Sequence, residues 1–381
     1  MAEPISDQVT EVDVLVVGAR VAGSILAAHL GDAGRRVLVV DRARFPSETI
    51  STHFFRGEWC VAALDRLGIL DEVLRTGAPP LVREFNVDAV DGTVSIDAPQ
   101  DPGSIGYGLS VRRVTLDAIL VERARRAPTV AVLEGTAMHE LVREGDRVCG
   151  STIASDGMER SVRARVVVGA DGHASRVARS VDAPILHQIP ASRAMYYRYF
   201  RGMEGPDGPP DAPEFSAGDD DLAYVFPSDE GIACVAISVN LGVYGQIRRR
   251  TQQGFDERLR MHPFIAARAF EAEPIGRLWG CGPRDALVRR AAGPGWALVG
   301  DASMYQDPWS GEGMDHASTH AMFLAEAIDD LLAGRVSETD AWAAYARRRD
   351  EHALQGWRAT GELGKDLNRA FRQHPSSPPS P

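Results

Sequence analysis

Three short stretches hold the residues best suited to chemistry. The first is G-A-R-V-A-G from Gly18 to Gly23, followed about 20 residues later by Asp41. A glycine turn that opens a helix leaves free backbone N–H groups there, and these, with the helix dipole, attract a pyrophosphate. A carboxylate placed like Asp41 can accept from ribose hydroxyls. The second stretch is G-A-D-G-H-A-S-R-V, from Gly169 to Val177, and the third is G-D-A-S-M-Y-Q-D-P-W-S-G-E-G-M, from Gly300 to Met314. Each follows an apolar run. Each therefore sets an aspartate, Asp171 or Asp301, at the C-terminal end of a strand, where open α/β sheets bind ligands. One position departs from the dinucleotide fingerprint: Arg20 stands where a glycine lets the backbone approach the phosphate. With φ below zero, its side chain can point outward or lie along the phosphates. This motif alone does not separate NAD from FAD.

The elements that must position these residues follow from periodicity. Val14–Val17 and Val37–Val40 are β-branched runs of buried-strand type, and Ile25, Leu26, Ala28 and Leu30 between them recur at helical spacing. Phe54–Leu67 has helical spacing, and Asp91-Gly92 marks a hairpin between strands at 82–90 and 93–96. Residues 136–168 read as a three-stranded antiparallel meander. After Ala183 the character changes: Met195–Phe200, Leu222–Phe226 and Ala233–Val239 are aromatic-rich strands, with a Gly/Pro/Asp loop at 202–221. Helical patterns cover 246–260 and 264–270. Trp296–Val299 is a last buried strand, and 313–332 and 341–371 are long helices. The fold class is α/β: an interrupted Rossmann-like nucleotide domain, a β-rich substrate domain and C-terminal helices. The nucleotide domain is expected in three parts, 1–80, 106–182 and 283–335. The remaining segments are a β-hairpin insertion at 81–105, the β-rich domain at 183–282, a helical segment at 336–372 and a disordered Ser/Pro tail at 373–381.

Composition narrows the class. In 381 residues, 44% are hydrophobic and 25% charged, as in a soluble globular enzyme, and the formal net charge is −11. No basic run points to nucleic acid, and the acidic balance argues against anionic membranes. The four cysteines are scattered, with neither zinc-ligand nor disulfide spacing, so no metal is expected. His316 and His320, one helical turn apart, lack a carboxylate partner pattern and read as a helix face. Without a signal peptide or an apolar run of membrane-spanning length, a cytoplasmic location is expected. Oligomeric state stays open.

The three motifs, in this order, resemble the FAD-dependent monooxygenase superfamily with the para-hydroxybenzoate hydroxylase-like fold, related to geranylgeranyl reductases and flavin halogenases. The resemblance covers most of the chain. It implies that Gly18, Val21, Ala22 and Gly23 hold the FAD pyrophosphate, Asp41 the adenosine ribose, and that Arg42 flanks the adenine. It places Arg113 (with Arg112 as fallback) against FAD and the Met138 backbone against adenine. Asp171 then serves both FAD and NAD(P)H, and Asp301 the ribityl and phosphate region. Pro308, Gly311, Gly313 and Met314 form the turn beneath the isoalloxazine.

The chemistry so implied is monooxygenation: NAD(P)H reduces the flavin, oxygen adds at C4a, and oxygen passes to an aromatic or polyketide-like small molecule. No catalytic residue is assigned, because a phenol activates its own ring and the cofactor does the rest. Pocket candidates are His53 and Arg56 after the second strand, Tyr196, Tyr224 and Phe226 on the β-rich sheet, and Trp309 in the flavin turn. Sheet alternation gives each sheet residue even odds of facing the flavin. Two features cut across this reading. Ser303-Met304 and Asp315 replace the histidine and asparagine of many hydroxylases, and D-P-W-S-G-E-G-M resembles the D-P-x-x-G-E-G-I pattern of the geranylgeranyl reductase group. An FAD-dependent saturase is therefore the alternative. A halogenase needs a lysine near the flavin, and the chain's one lysine is Lys365. A non-catalytic nucleotide-binding regulator is a third class, set against three cofactor motifs.

Overall fold

The apolar runs assemble as parallel strands. In a computed structural model, which describes residues 11–51, 54–88, 92–97, 105–205, 208, 212–218 and 220–367, five of them lie side by side. They are β1 (Glu11–Val17), β2 (Val37–Asp41), β3 (Val130–Glu134), β4 (Met158–Gly169) and β5 (Trp296–Leu298), in the order β5-β4-β1-β2-β3. Both faces of this sheet are covered, which is why its strands are unbroken Val/Leu runs rather than alternating ones. β4 does two jobs. Its first half pairs antiparallel with Arg147–Ser155, completing the expected meander, and its second half runs parallel to β1 and β5.

Helix α1 (Val21–Asp32) is buried almost all round and packs on α2 (Gly313–Leu332) and on the helix Arg113–Arg125. Small residues permit this. A Cβ on Gly23 would sit 1.8 Å from the Gly18 carbonyl oxygen, and one on Gly31 would sit 2.4 Å from Val130 Cγ2. A further helix, α3 (Glu338–Leu363), packs on α2.

The second sheet has seven strands, in the order Glu273–Cys281, Arg193–Arg201, Ile232–Asn240, Leu222–Pro227, Glu214–Ala217, Arg83–Asp88 and Gly92–Asp97. The early hairpin thus joins the later sheet, through a parallel pairing with Glu214–Ala217 inside the expected loop. One face carries Ala194, Tyr196, Val225, Val235 and Ile237 under the helices at 241–269. The other carries Met195, Tyr197, Leu222, Tyr224, Phe226 and Cys281, packed with Phe54 of the nucleotide-binding part and with Leu81. Ile185–Ile189, Ala286–Arg289 and Met304–Tyr305 form a small third sheet.

The segment expected as one helix from Phe54 differs. Phe54–Phe55 pairs with Leu109–Ser110, a wide helical turn spans Gly57–Val61, and α-helix follows only at Ala62–Arg66. Two constraints cause this. Gly57 lies so close to the Ile105 carbonyl that a Cβ would be 1.8 Å from its oxygen, and Asp315 holds the Arg56 and Cys60 N–H groups. The Asp91 turn residue, residues 1–10 and the Ser/Pro tail at 373–381 lie outside the described residues. No helix among those described is long and apolar enough to cross a membrane.

The contact between α1 and the glycine turn is directly testable. Gly23→Ala should destabilise the protein by about 2 kcal/mol or more, the usual scale of overpacking. Chemical denaturation measures it, and a variant as stable as the parent would contradict the close packing described.

Candidate active site

The three motifs meet in one groove of about 810 Å³, within the usual size of small-molecule sites. Gly18, Val21 and Ala22 line it at the first turn, with Asp41, Arg42, Arg113 and Met138 nearby and Asp171 and Asp301 at the strand ends. Pro308, Gly311, Gly313 and Met314 line it at the far turn. Gly23 is not in the wall. It lies beneath, where its missing side chain lets α1 close on the turn.

Charge at the first turn is positive. Arg20 has φ −84° and reaches sideways: its guanidinium bonds to the Asp117 carboxylate at 2.5 Å and to Ser47 Oγ at 3.0 Å. Arg113 grips the same carboxylate at 2.9 and 3.1 Å. Two cations thus share one fully buried acid, leaving one net positive charge beside the helix start. Neither α1 nor α2 has a side-chain N-cap, so both first turns offer N–H groups to the groove. The carboxylate of Asp41 is oriented by the Ala19 and Ala43 N–H groups, each at 2.8 Å. That of Asp171 is occupied by its own loop, accepting from Ser175 Oγ at 2.5 Å, Arg176 N at 2.6 Å and Val177 N at 3.2 Å. Burial pushes Asp301 up to about 6 against the pull of Arg113 and Arg284.

The turn 308–314 is fixed from three sides. Asp307 caps Trp309 N at 3.2 Å, the Trp309 indole donates to the Thr360 carbonyl at 3.0 Å, and its own carbonyl accepts from Tyr224 Oη at 2.8 Å. Gly311 takes φ +71°, a left-handed conformation that favours glycine. Gln306, 5% exposed, donates through Nε2 to Ser310 and Glu312, while its Oε1 has no partner. It lies in the groove wall.

A family model described as "FAD binding domain" matches residues 11–360. The chain belongs to that family. It is 29% identical over 388 residues to digeranylgeranylglycerophospholipid reductase 2 of Methanopyrus kandleri, covering 95% of this chain and 85% of the relative. It is 27% identical to the menaquinone reductase of Mycobacterium tuberculosis, covering 83% and 76%. Its fold is that of the myxobacterial chondrochloren halogenase CndH (TM-score 0.84, 21% identity, coverage 95% and 89%). The same fold is found in PqsL of Pseudomonas aeruginosa, described as a probable FAD-dependent monooxygenase (TM-score 0.77, 23% identity, coverage 95% and 99%).

The groove fits FAD. Gln306, in the groove wall, carries in Oε1 a buried acceptor without a protein partner, which suits an N–H donor such as the isoalloxazine has, and the cationic first turn suits a diphosphate. When bound, FAD supplies two-electron hydride chemistry. The chain's residues position and shield. Tyr197 Oη donates to the Thr49 carbonyl and accepts from Ser51 N, both at 3.3 Å, pinning the loop after β2 to the sheet above. Phe54 stacks on Phe226 with centroids 5.4 Å apart.

The expected pocket residues divide. Tyr196 turns to the opposite sheet face, stacked with Tyr244, so it does not face the groove. Tyr224 and Phe226 lie on the flavin side but within the packed aromatic cluster, not the open wall, and Trp309 is consumed in holding the turn. Arg56 is bound to Asp315 at 3.1 Å rather than facing the groove. His53 lies outside the described residues. Met195, Tyr197, Cys281, Tyr305 and His316 line the groove and were not expected there. The odd-numbered alternation of Met195 and Tyr197 was the available signal. Burial raises the Cys281 thiol, which donates to the Gly282 carbonyl at 3.6 Å.

Asp315, one residue after Met314, ties α2 to the segment after Phe55 by accepting from the Arg56 and Cys60 N–H groups. Burial pushes it up to about 7 although Arg56 and the Cys60 N–H stabilise the anion. Its ordinary value is 3.8. The folded state therefore holds this proton more tightly, and the group's contribution to stability is fullest below about pH 4 and falls as pH rises through about 7. In Asp315→Asn the apo-protein's melting temperature should fall less between those two pH values than in the parent. Identical slopes would contradict the assignment. Gln306→Met should weaken FAD binding about tenfold by fluorescence titration, one hydrogen bond's worth; unchanged affinity would remove Gln306 from the cofactor's contacts.

Proposed function

We propose that this FAD-dependent oxidoreductase is a reductase that saturates a carbon–carbon double bond of a prenyl-type or similarly apolar substrate. The observation that carries this reading is the sequence kinship. It runs over 95% of the chain to a digeranylgeranylglycerophospholipid reductase, and the menaquinone reductase similarity points the same way. The Asp307–Met314 turn, of the geranylgeranyl reductase pattern, supports it at the flavin itself. So does the wall above that turn, built from Met195, Tyr197, Cys281, Tyr305 and Phe54. Such a surface suits a hydrocarbon chain and offers hydroxyl and thiol protons without a fixed charge. Saturation adds a hydride to one alkene carbon and a proton to the other.

The reductant in this proposal is NAD(P)H. At the Asp171 end, Arg176, Arg179, Arg284 and His173 line the groove, and Arg284 meets His173 Nδ1 at 3.2 Å. A positive rim of this kind suits the phosphates of a second dinucleotide.

Hydroxylation of an aromatic substrate, the reading that the motifs favour, keeps one support. That is likeness of fold to PqsL, which at 23% identity speaks for the fold alone. Halogenation lacks its lysine: Lys365 pairs with Glu362 at the end of α3, outside the groove.

Anaerobic incubation of the flavin-loaded protein with NADPH and prenylated lipids or quinones should yield products heavier by two hydrogens per double bond, read by mass spectrometry. A product heavier by one oxygen, formed only in air, would overturn this reading in favour of oxygenation.

A further inference from the structure

Leu367 stands apart in the aromatic cluster above the flavin turn. It is 1% exposed and lies among Phe54, Met195, Tyr197, Tyr224 and Phe226, beside Trp309. Met195 and Tyr197 sit on a strand paired on both sides, as do Tyr224 and Phe226, and Phe54 pairs with Ser110. Leu367 comes instead from the segment that follows α3.

Two polar contacts seat that segment. Asp220 Oδ1 accepts from the Leu367 N–H at 3.1 Å, and Arg193, itself 2% exposed, donates to the Gly364 carbonyl at 3.4 Å. Asp220 is the centre of this clip. The same Oδ1 accepts from Arg193 Nη1 at 3.3 Å, and Oδ2 accepts from Asn240 Nδ2 at 2.9 Å. Asp220 takes φ +62°, in the left-handed region that few residues other than glycine enter. On its other side the segment rests on the flavin turn, where a Cβ on Gly364 would lie 2.8 Å from Trp309 Nε1.

The position of Leu367 bears on the substrate. Phe54, Met195 and Tyr197 line the groove and Leu367 does not, so apolar contact runs unbroken from the groove wall to Leu367. A hydrocarbon that reaches the flavin turn must enter this cluster. Moving a sheet residue aside breaks ladder hydrogen bonds toward two neighbouring strands, and each group so freed needs a new partner. Moving Leu367 aside frees one N–H and one carbonyl at the clip. The leucine side chain also has the branched outline of an isoprene unit. Exchange of one for the other leaves the filled volume and the buried apolar surface nearly unchanged.

We propose that Gly364–Leu367 is a displaceable stopper, and that the site Leu367 fills takes an isoprenoid unit of the substrate. This rests on the reading of the substrate as a prenyl-type chain. Leucine and isoprenoid compete for one site, and each lowers the other's occupancy by their difference in affinity.

The test uses the FAD-loaded full chain and two readouts that need no turnover. Fluorescence titration with dansylated farnesol reports occupancy of the site. Leu367→Ala removes the competitor and should tighten probe binding about tenfold, and Leu367→Met, which refills the site, should return it to the parent's value. In Leu367→Cys, maleimide labelling of the introduced thiol reports displacement, since the four native cysteines are buried. Saturating farnesol should speed that labelling about tenfold or more, which a merely structural leucine would not show. The thiol readout decides the matter should Leu367→Ala prove too unstable to titrate. Probe binding no tighter in Leu367→Ala than in the parent, no probe bound by either, or labelling that farnesol leaves unchanged overturns the proposal. Faster labelling without saturation of any prenyl substrate supports the stopper and removes the reductase reading. Saturation with unchanged labelling removes the stopper alone.

Discussion

Two helix N-termini, those of α1 and α2, open without side-chain caps onto the same groove. Uncapped N–H groups in a protein interior need partners, and a dinucleotide with a flavin at one end offers acceptors to both. The rest of the structure holds these two helix starts in place. Gly18 and Gly23 bring α1 down to the sheet edge. Asp315 ties the first turn of α2 to the backbone at Arg56 and Cys60. The Arg20–Asp117–Arg113 group keeps the α1 end positive, and Gln306 leaves an acceptor at the α2 end.

The β-rich sheet serves this arrangement as a roof. Its alternation sends Met195, Tyr197, Tyr224 and Phe226 toward the nucleotide-binding part, and Tyr196 and Val225 toward the outer helices. Tyr224 and Trp309 then join roof to flavin turn by one hydrogen bond, and Tyr197 joins roof to the loop after β2.

Much of this was legible in the residues. The valine runs are parallel strands because both their faces are covered, and the glycine and aspartate stretches lie at strand ends because only there does the backbone turn. Of the fourteen cofactor positions expected, Gly23 alone is outside the wall, since the same missing Cβ that marks a phosphate turn also marks close helix packing. Arg20 could be read only as ambiguous, because Asp117, which draws its side chain aside, is 97 residues away. The segment after Phe54 departs from one helix for a similar reason: its apolar spacing is helical, but its Arg56 and Cys60 N–H groups are held by the distant Asp315. The pairing of the early hairpin with Glu214–Ala217 left no local signal, because parallel partners distant in sequence share no turn.

The central claim, a groove built for FAD by two helix starts, is tested most directly by the cofactor content of the purified protein. Heat release of the bound chromophore, followed by chromatography against authentic flavins, should give one FAD per chain. A preparation that stays colourless and takes up no FAD on reconstitution would contradict the account.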